Sequence, residues 1–245
     1  YNTIDLFKKY NFMIKALFFD LFGTVVDWRS SIVAQAKLIK FSQNIKVDWE
    51  KLVINWRLKY QPIMEKVNKK KIPWKTLDEL HEITLNEVCN EMNIRFLTDK
   101  DKKKLIMFWH KLDPWNDSCE AIKKLSENYI TASLSNGNII LQKNLIKNAK
   151  LNFDFIFSAE HFKKYKPEKV VYLGAANYLN LLPGNCALVA SHKSDLLAAS
   201  KLGFRTIFIN RKNEYGSYKN KFKEVSFNSD ISVNRLTDIL YKVKN

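Results

Sequence analysis

The sequence predicts an α/β fold, a parallel sheet interrupted by a helical insert, on three observations. First, five short apolar runs each end in polar residues: KALFFD (15–20), ITASLSN (130–136), FDFIFSA (153–159), CALVAS (186–191) and FRTIFIN (204–210). Second, from residue 113 on, helical patterns separate the runs, at about 117–127, 138–150, 168–180 and 194–202. Buried runs alternating with helices are βαβ units, whose strands lie parallel with both faces covered. Third, residues 29–112 carry helical periodicity and no strand pattern.

Taken in order, the first strand ends abruptly in Asp20, and a tight Phe-Gly-Thr turn follows. The insert opens at Trp28–Arg29. Its clearest helix has Trp49, Leu52, Val53, Trp56, Tyr60, Ile63, Met64 and Val67 at three- and four-residue spacing, with Asp48 as its N-cap. Pro62 should kink that helix or end it early. Two more helices are expected near 76–93 and 99–111, and the LDPWND turn (112–117) closes the insert. The division is therefore a core of 13–28 and 113–245 around a helical domain of 29–112. In a parallel sheet, ligands bind at the carboxyl ends of the strands. The polar residues that end the runs converge there: Asp20, Ser135, Asn136 and the Ser191–Asp195 turn.

Composition narrows the classes. With 46% hydrophobic and 13% aromatic residues the chain builds a sizeable core. No apolar run approaches the roughly 18 residues that span a bilayer, and YNTIDLFKKYNF lacks the order of a signal peptide. Cys89, Cys119 and Cys186 are far apart, form no CxxC pair and leave an odd thiol, which indicates a reducing cytosol and no structural zinc. The net charge of +16 attracts anions, but only six of the 41 basic residues are arginine and the lysines spread over the whole chain. No aromatic–basic interleaving of the kind that binds single strands is present, so a nucleic-acid partner is not expected.

Several residues carry chemistry. Asp20, delivered to a strand tip ahead of Gly23, suits a metal ligand, a base or a nucleophile, and equally an N-cap. LSNGN (134–138) runs from strand into helix, and its backbone N–H groups with Ser135 and Asn136 make an anion cradle. KYKPEK (164–169) places Lys166 where a cation can face Asp20, or where it is one more surface lysine. Asp195 in ASHKSDLLAA (190–199) reads as a partner of these groups or as a first-turn carboxylate favoured by the helix dipole.

The order D-x-F-G-T, S-N-G, K-P and then the carboxylate of SHKSD resembles the four-motif pattern of the haloacid dehalogenase superfamily. The match is closer to its L-2-haloacid dehalogenase (type II) branch. IKALFFDLFGTVVDWRSSI, WRLKYQP, LDPWND, LSNGN, KYKPEKVVYLGAA, LVASHKSDLLAA and NEYG (213–216) all look like that branch, from residue 14 to about 216. The resemblance implies a Rossmann-like core with a helical cap domain inserted after the first strand. It also implies that residues 1–12 are an N-terminal extension, since such proteins usually begin near Met13. It leaves a homodimer open.

Two departures from the superfamily's phosphatases are informative. Phosphatases carry a second Asp two residues after the nucleophile, as general acid for the leaving alcohol; here that residue is Phe22. They also carry a Mg²⁺-binding Asp four residues before the last motif carboxylate; here it is Ser191. Mg²⁺ wants several hard oxygen ligands, so no metal and no other cofactor is expected. A halide leaving group needs no protonation.

The resemblance implies hydrolytic dehalogenation of a short 2-halocarboxylate. Ionised Asp20 attacks C2 with inversion, and water hydrolyses the aspartyl ester. Thr24 would orient Asp20, Lys166 hold it ionised, and Asp195 help activate water. Ser135, with the amides of Leu21 and Phe22, would bind the substrate carboxylate. Arg57 matches the halide-site arginine with Asn136 beside it; read alone, it fits an exposed face of an amphipathic helix. Tyr172 matches the tyrosine after K-P, or is core. His192 stands where many members have Asn; it can reach the water or Asp195 and brings a titration near neutrality. The competing expectations are a Mg²⁺-dependent phosphatase and a non-enzymatic protein that binds anions or nucleic acid.

Overall fold

In the computed structural model, which describes residues 13–39 and 47–243, the run before Asp20 forms strand β1 (Ala16–Phe19) inside a six-stranded parallel sheet. Every residue of β1 is buried. Leu17 and Phe19 join the apolar cluster on one face of the sheet; Ala16 and Phe18 join the cluster on the other. Helices cover both faces, which is why the strand has no polar alternation. Each fully buried Leu or Phe of this kind contributes roughly 1.5–3 kcal/mol. The 1–12 extension expected from the sequence lies outside the described residues.

The short strand β2 (Val26–Asp27) follows the Asp20 turn and leads into the insert's helices: α1 (Trp28–Ala36), α2 (Trp49–Leu58), α3 (Tyr60–Asn68), α4 (Leu77–Glu91) and α5 (Asp99–Phe108). Asp48 caps α2 as expected, accepting from Lys51 N–H at 2.9 Å. The single helix expected over 49–67 is two. The break falls at Lys59, and Pro62 sits in the first turn of α3, where its missing N–H costs nothing. Thr76 and Glu79 form a full capping box on α4.

The chain returns through β3 (Asp113–Pro114), which pairs antiparallel with β2: Val26 faces Pro114 and Asp27 faces Asp113. The sequence reading has a turn here, because two residues are too few for a period-two pattern. Then come α6 (Ser118–Leu125), β4 (Ile130–Ser135), α7 (Ile139–Asn148), β5 (Phe155–Ser158), α8 (Ala159–Phe162), α9 (Lys169–Tyr178), β6 (Cys186–Ala190), α10 (Lys193–Ser200) and β7 (Arg205–Ile209). A short strand β8 (Ile231–Val233), which the sequence reading lacks, extends the sheet before α11 (Ile239–Lys242).

The strand order is β5-β4-β1-β6-β7-β8. From β1 the chain builds outward through β4 and β5, then crosses back to β6 and builds the other way. The reversal lies between β1 and β6, and the crevice at such a switch point is where α/β sheets bind ligands. Asp20 leaves β1 there, its N–H donating to Val189 O on β6 at 3.0 Å. Insert and core share one apolar cluster that includes Phe22, Trp28, Trp56 and Trp109. Among the described residues no helix is long and apolar enough to cross a membrane.

Candidate active site

Asp20 is 6% exposed and is held on both oxygens. Lys166 Nζ donates to Oδ1 at 2.9 Å and to Asp195 Oδ2 at 2.5 Å, so one ammonium bridges two carboxylates. Thr24 Oγ1, fully buried, donates to Asp20 Oδ2 at 2.9 Å. Thr24 accepts from Ser191 N–H at 2.9 Å, which leaves its own proton free to point at Asp20. Tyr172 donates its hydroxyl proton to Asp195 Oδ1 at 2.5 Å.

These positions follow from local structure. The turn after β1 is tight enough to need Gly23 at φ +85°, in the left-handed region. A Cβ there would also collide with the Glu214 carboxylate. The turn's backbone bonds run from Gly23, Val25 and Val26 N–H; among the described residues the Leu21 and Phe22 N–H groups have no backbone partner. Lys166 is fixed through its own N–H, which donates to Asn136 Oδ1 at 2.8 Å. Its neighbour Tyr165 stacks on Trp74 at 4.9 Å, and its hydroxyl donates to Lys75 O at 2.7 Å, tying the Lys166 loop to the insert.

Electrostatics keeps Asp20 charged. Burial pushes its carboxyl up, but Lys166 and His192 outweigh that and hold it well below the usual carboxylate range. Burial likewise pushes Lys166 down, and Asp195 and Asp20 more than reverse it. Asp20 is thus an ionised carboxylate with little basicity.

A cavity of about 640 Å³ opens onto this network. Asp20, Phe22, Arg57, Tyr60, Asn136, Lys166, Tyr172, His192 and Asp195 all line it. Phe22 stands edge-on to Trp109 and Tyr60, making an apolar wall two residues from Asp20. Arg57 comes in from α2, its guanidinium carbon 4.0 Å from the Tyr60 ring centre and 5.3 Å from that of Trp28. Its Nη1 is buried with no hydrogen-bond partner among the described residues. Because Asn136 Oδ1 is taken by Lys166 N–H, its amide N–H₂ is the group left to donate.

Three of the sequence-predicted residues stand differently. Ser135 and Leu21 are fully buried and are not among the cavity's lining residues. The Ser135 hydroxyl accepts from Gly137 N–H at 3.2 Å. His192, expected to reach the water or Asp195, instead stands between Asp20 and Glu214: its Nδ1 is 3.3 Å from Asp20 Oδ2 and its Nε2 is 2.9 Å from Glu214 Oε1. Its place before the first turn of α10 turns the ring back toward β1. Glu214 is the residue that sequence reasoning missed. The only signal for it was its place in NEYG, a motif with no chemistry of its own.

A Mg²⁺ site does not fit this donor set. The Lys166 ammonium lies within hydrogen-bonding distance of both carboxylates that a cation would bridge, and Ser191 offers a hydroxyl where a further carboxylate would be needed. Among the described residues no cluster of three His, Cys, Asp or Glu side chains is arranged to hold a metal.

Residues 14–203 match the family model described as hydrolase: haloacid dehalogenase-like hydrolase. The chain belongs to the haloacid dehalogenase-like hydrolases. Within that family it is 30% identical over 214 residues to (S)-2-haloacid dehalogenase 4A of Burkholderia cepacia, covering 84% of this chain and 87% of that one. It is similar to the crystal structure of the L-2-haloacid dehalogenase PA0810, with a TM-score of 0.88 and 35% identity over 94% of this chain and 98% of the other. The defluorinating L-2-haloacid dehalogenase Rha0230 is similar as well, with a TM-score of 0.87 and 34% identity over 94% of this chain and 95% of the other. The haloacid dehalogenase-like fold accounts for the mostly parallel sheet with its flanking helices.

Proposed function

We propose that this hydrolase is an (S)-2-haloacid dehalogenase that acts on short 2-halocarboxylates through a covalent ester on Asp20. The observation that carries the reading is the Lys166 ammonium shared by Asp20 and Asp195. It keeps the nucleophile ionised without a metal, and it places a second carboxylate beside the ester that would form. Asp20 attacks C2 opposite the halogen, the carbon–halogen bond breaks and halide leaves, with inversion at C2. Water then adds to the Asp20 carboxyl carbon, and Asp195, fixed by Tyr172 and Lys166, is placed to take its proton.

The leaving group explains Phe22. Halide departs as a stable anion and needs no general acid, so an apolar ring is tolerated where a phosphatase places its second Asp. Substrate carboxylate would be received by the Leu21 and Phe22 amides with Ser135, after a small opening of that turn. Halide would be received by Arg57 and the Asn136 amide. The free thiols Cys89, Cys119 and Cys186 fit work in the reducing cytoplasm.

The test is halide release from L- and D-2-chloropropionate and from haloacetates, with and without EDTA. Release from the L enantiomer and not the D, unchanged by EDTA, is the expected result. A tenfold rise on adding Mg²⁺, or phosphate release in place of halide release, would overturn the reading.

Arg57 gives a sharper prediction. Arg57→Lys keeps the charge but loses the planar fork and the stacking on Tyr60. A preorganised donor at a developing anion is worth about 10²-fold or more in kcat, so the variant should lose about that much. Turnover near that of the unmodified enzyme would place Arg57 outside the reaction.

A further inference from the structure

We propose that Glu214 is a positioning residue that holds His192 as an imidazolium against the nucleophile, so that Asp20 is flanked by two cations rather than one. This rests on the dehalogenase reading of the site and deepens it. The geometry of the ring carries it. His192 Nε2 is 2.9 Å from Glu214 Oε1, and Nδ1 is 3.3 Å from Asp20 Oδ2. A neutral imidazole has one N–H and one bare lone pair. Between two carboxylates, either neutral tautomer would turn that lone pair toward an anionic oxygen. The imidazolium, a donor at both nitrogens, meets both.

Glu214 is built into the fold rather than laid on it. It is 2% exposed. Its Oε1 accepts from Trp28 Nε1 at 3.0 Å and its Oε2 accepts from Ser191 Oγ at 3.3 Å. The bare backbone of Gly23 makes room for it, since any Cβ there would collide with the carboxylate. A glutamine would keep the Trp28 bond through its carbonyl oxygen and turn its amide to donate to the Ser191 hydroxyl; the negative charge is what His192 uses.

The charges around His192 balance on the same assumption. Asp20 comes from the end of β1, Asp195 from α10, and Glu214 and Tyr215 from the turn after β7. Lys166 comes from the loop before α9 and Arg57 from α2. Lys193 also lines the cavity, with its ammonium over the Phe208 ring, 5.6 Å from its centre. With His192 charged, the carboxylates of Asp20, Asp195 and Glu214 are matched by Lys166, His192 and Arg57. Burial pushes the His192 pKa down, but Glu214, Tyr215 and Asp20 together raise it well above its ordinary value. Burial pushes Glu214 up, and His192 brings it below the ordinary glutamate value.

The second cation serves the hydrolytic half of the reaction. When water adds to the ester carbon, the carbonyl electron pair moves onto the ester's free oxygen. One proton of the water goes to Asp195 and from there to the hydroxy acid as the bond from the ester oxygen to the carboxyl carbon breaks. The other is released as Asp20 ionises again. Asp20 Oδ2 has the Thr24 hydroxyl as a donor for that transient charge at 2.9 Å, and the charged His192 ring at ion-pair distance, 3.3 Å. The neutral ring would offer a lone pair or a weaker donor in the same place.

NMR titration of the histidine side chains, with His192→Asn to assign the resonance, tests the charge directly. In the unmodified enzyme the His192 resonance should titrate well above the ordinary histidine pKa of about 6.5. In Glu214→Gln it should titrate near neutrality. Halide release by that variant should then fall roughly tenfold per pH unit above the new pKa, as one lost proton requires, while the unmodified enzyme stays flat. A purely structural Glu214 would lower the melting temperature and leave the pH profile alone. His192 titrating near pH 6.5 in the unmodified enzyme, or parallel pH profiles for the two proteins, would overturn the proposal. If Glu214→Gln does not fold, the titration of the unmodified enzyme decides alone. It also decides if no haloacid is turned over, an outcome that would count against the dehalogenase reading and not against the ion pair.

Discussion

Asp20→Asn is expected to lower halide release by at least about 10⁴-fold, the scale on which enzymes lose rate with their nucleophile, while leaving the fold in place. The amide has nearly the carboxylate's shape, and Lys166 keeps Asp195 as its partner at 2.5 Å, so no buried charge is stranded. What is lost is the attacking anion. The role of that anion can be read from oxygen. In a single turnover in H₂¹⁸O with enzyme in excess, an ester intermediate puts ¹⁸O into the Asp20 side chain, and the first product carries the old carboxylate oxygen. Peptide mass spectrometry of the segment containing Asp20 should show a gain of about two mass units, as attack at the ester carbon requires. Label found in the product alone would make Asp20 a general base assisting direct attack of water. The low basicity that Lys166 and His192 impose on Asp20 argues for the covalent route.

Lys166→Met should destabilise the protein by about 3–5 kcal/mol at neutral pH, the cost of stranding a buried charge by removing its partner. Methionine fills the space of the lysine stem, so the loss is electrostatic rather than steric. Lys166 is 6% exposed and its two carboxylate partners are buried with it. Without the ammonium, Asp20 keeps only His192 as a cationic neighbour and Asp195 loses the cation it shares with Asp20. The sign of the pH dependence follows. Asp20 has a folded-state pKa below its unfolded value, so it stabilises above about pH 4 and loses that contribution as pH falls through the folded pKa. Lys166 has a folded-state pKa above its unfolded value, so its contribution is complete below about pH 10 and is lost as pH rises through the folded pKa. The gap between unmodified and variant protein should be widest between those limits and should narrow as pH falls below about 4 in urea unfolding. A gap that does not change with pH would mean that the methionine disturbs packing instead.

Much of this architecture is legible in the sequence, and for identifiable reasons. Five of the six strands of the core sheet are short apolar runs with polar ends, a pattern that buried parallel strands require on both faces. Asp48 as a cap and helices over 49–67, 76–93 and 99–111 follow from spacing, whereas α1 is not among the helices expected. What escapes has no such signature. The two-residue strands β2 and β3 and the three-residue β8 are shorter than the period needed to recognise them. The break at Lys59 falls three residues before Pro62 because proline is accepted in a first helical turn and so does not mark the end itself. Within the site, Asp20, Lys166 and Asp195 sit in motifs whose order is distinctive. Glu214 lies 194 residues beyond Asp20 in a surface-like turn, and only the closure of β7 against β6 brings it to His192. The aromatic seat of Arg57 on Tyr60 is likewise a product of the break between α2 and α3.

The pairing of β2 with β3 has a consequence for chain entropy. Ala16 on β1 lies beside Ile130 on β4, 114 residues away along the chain. With Val26 held against Pro114, the same contact spans ten residues from Ala16 to Val26 and sixteen from Pro114 to Ile130, an effective separation of 26. Loop-closure cost grows as about 1.5RT times the logarithm of length, so this shortcut is worth about 1.3 kcal/mol. The central sheet is thereby spared most of the length of its insertion, and the closure cost is moved onto the insert, where α1 packs against α5.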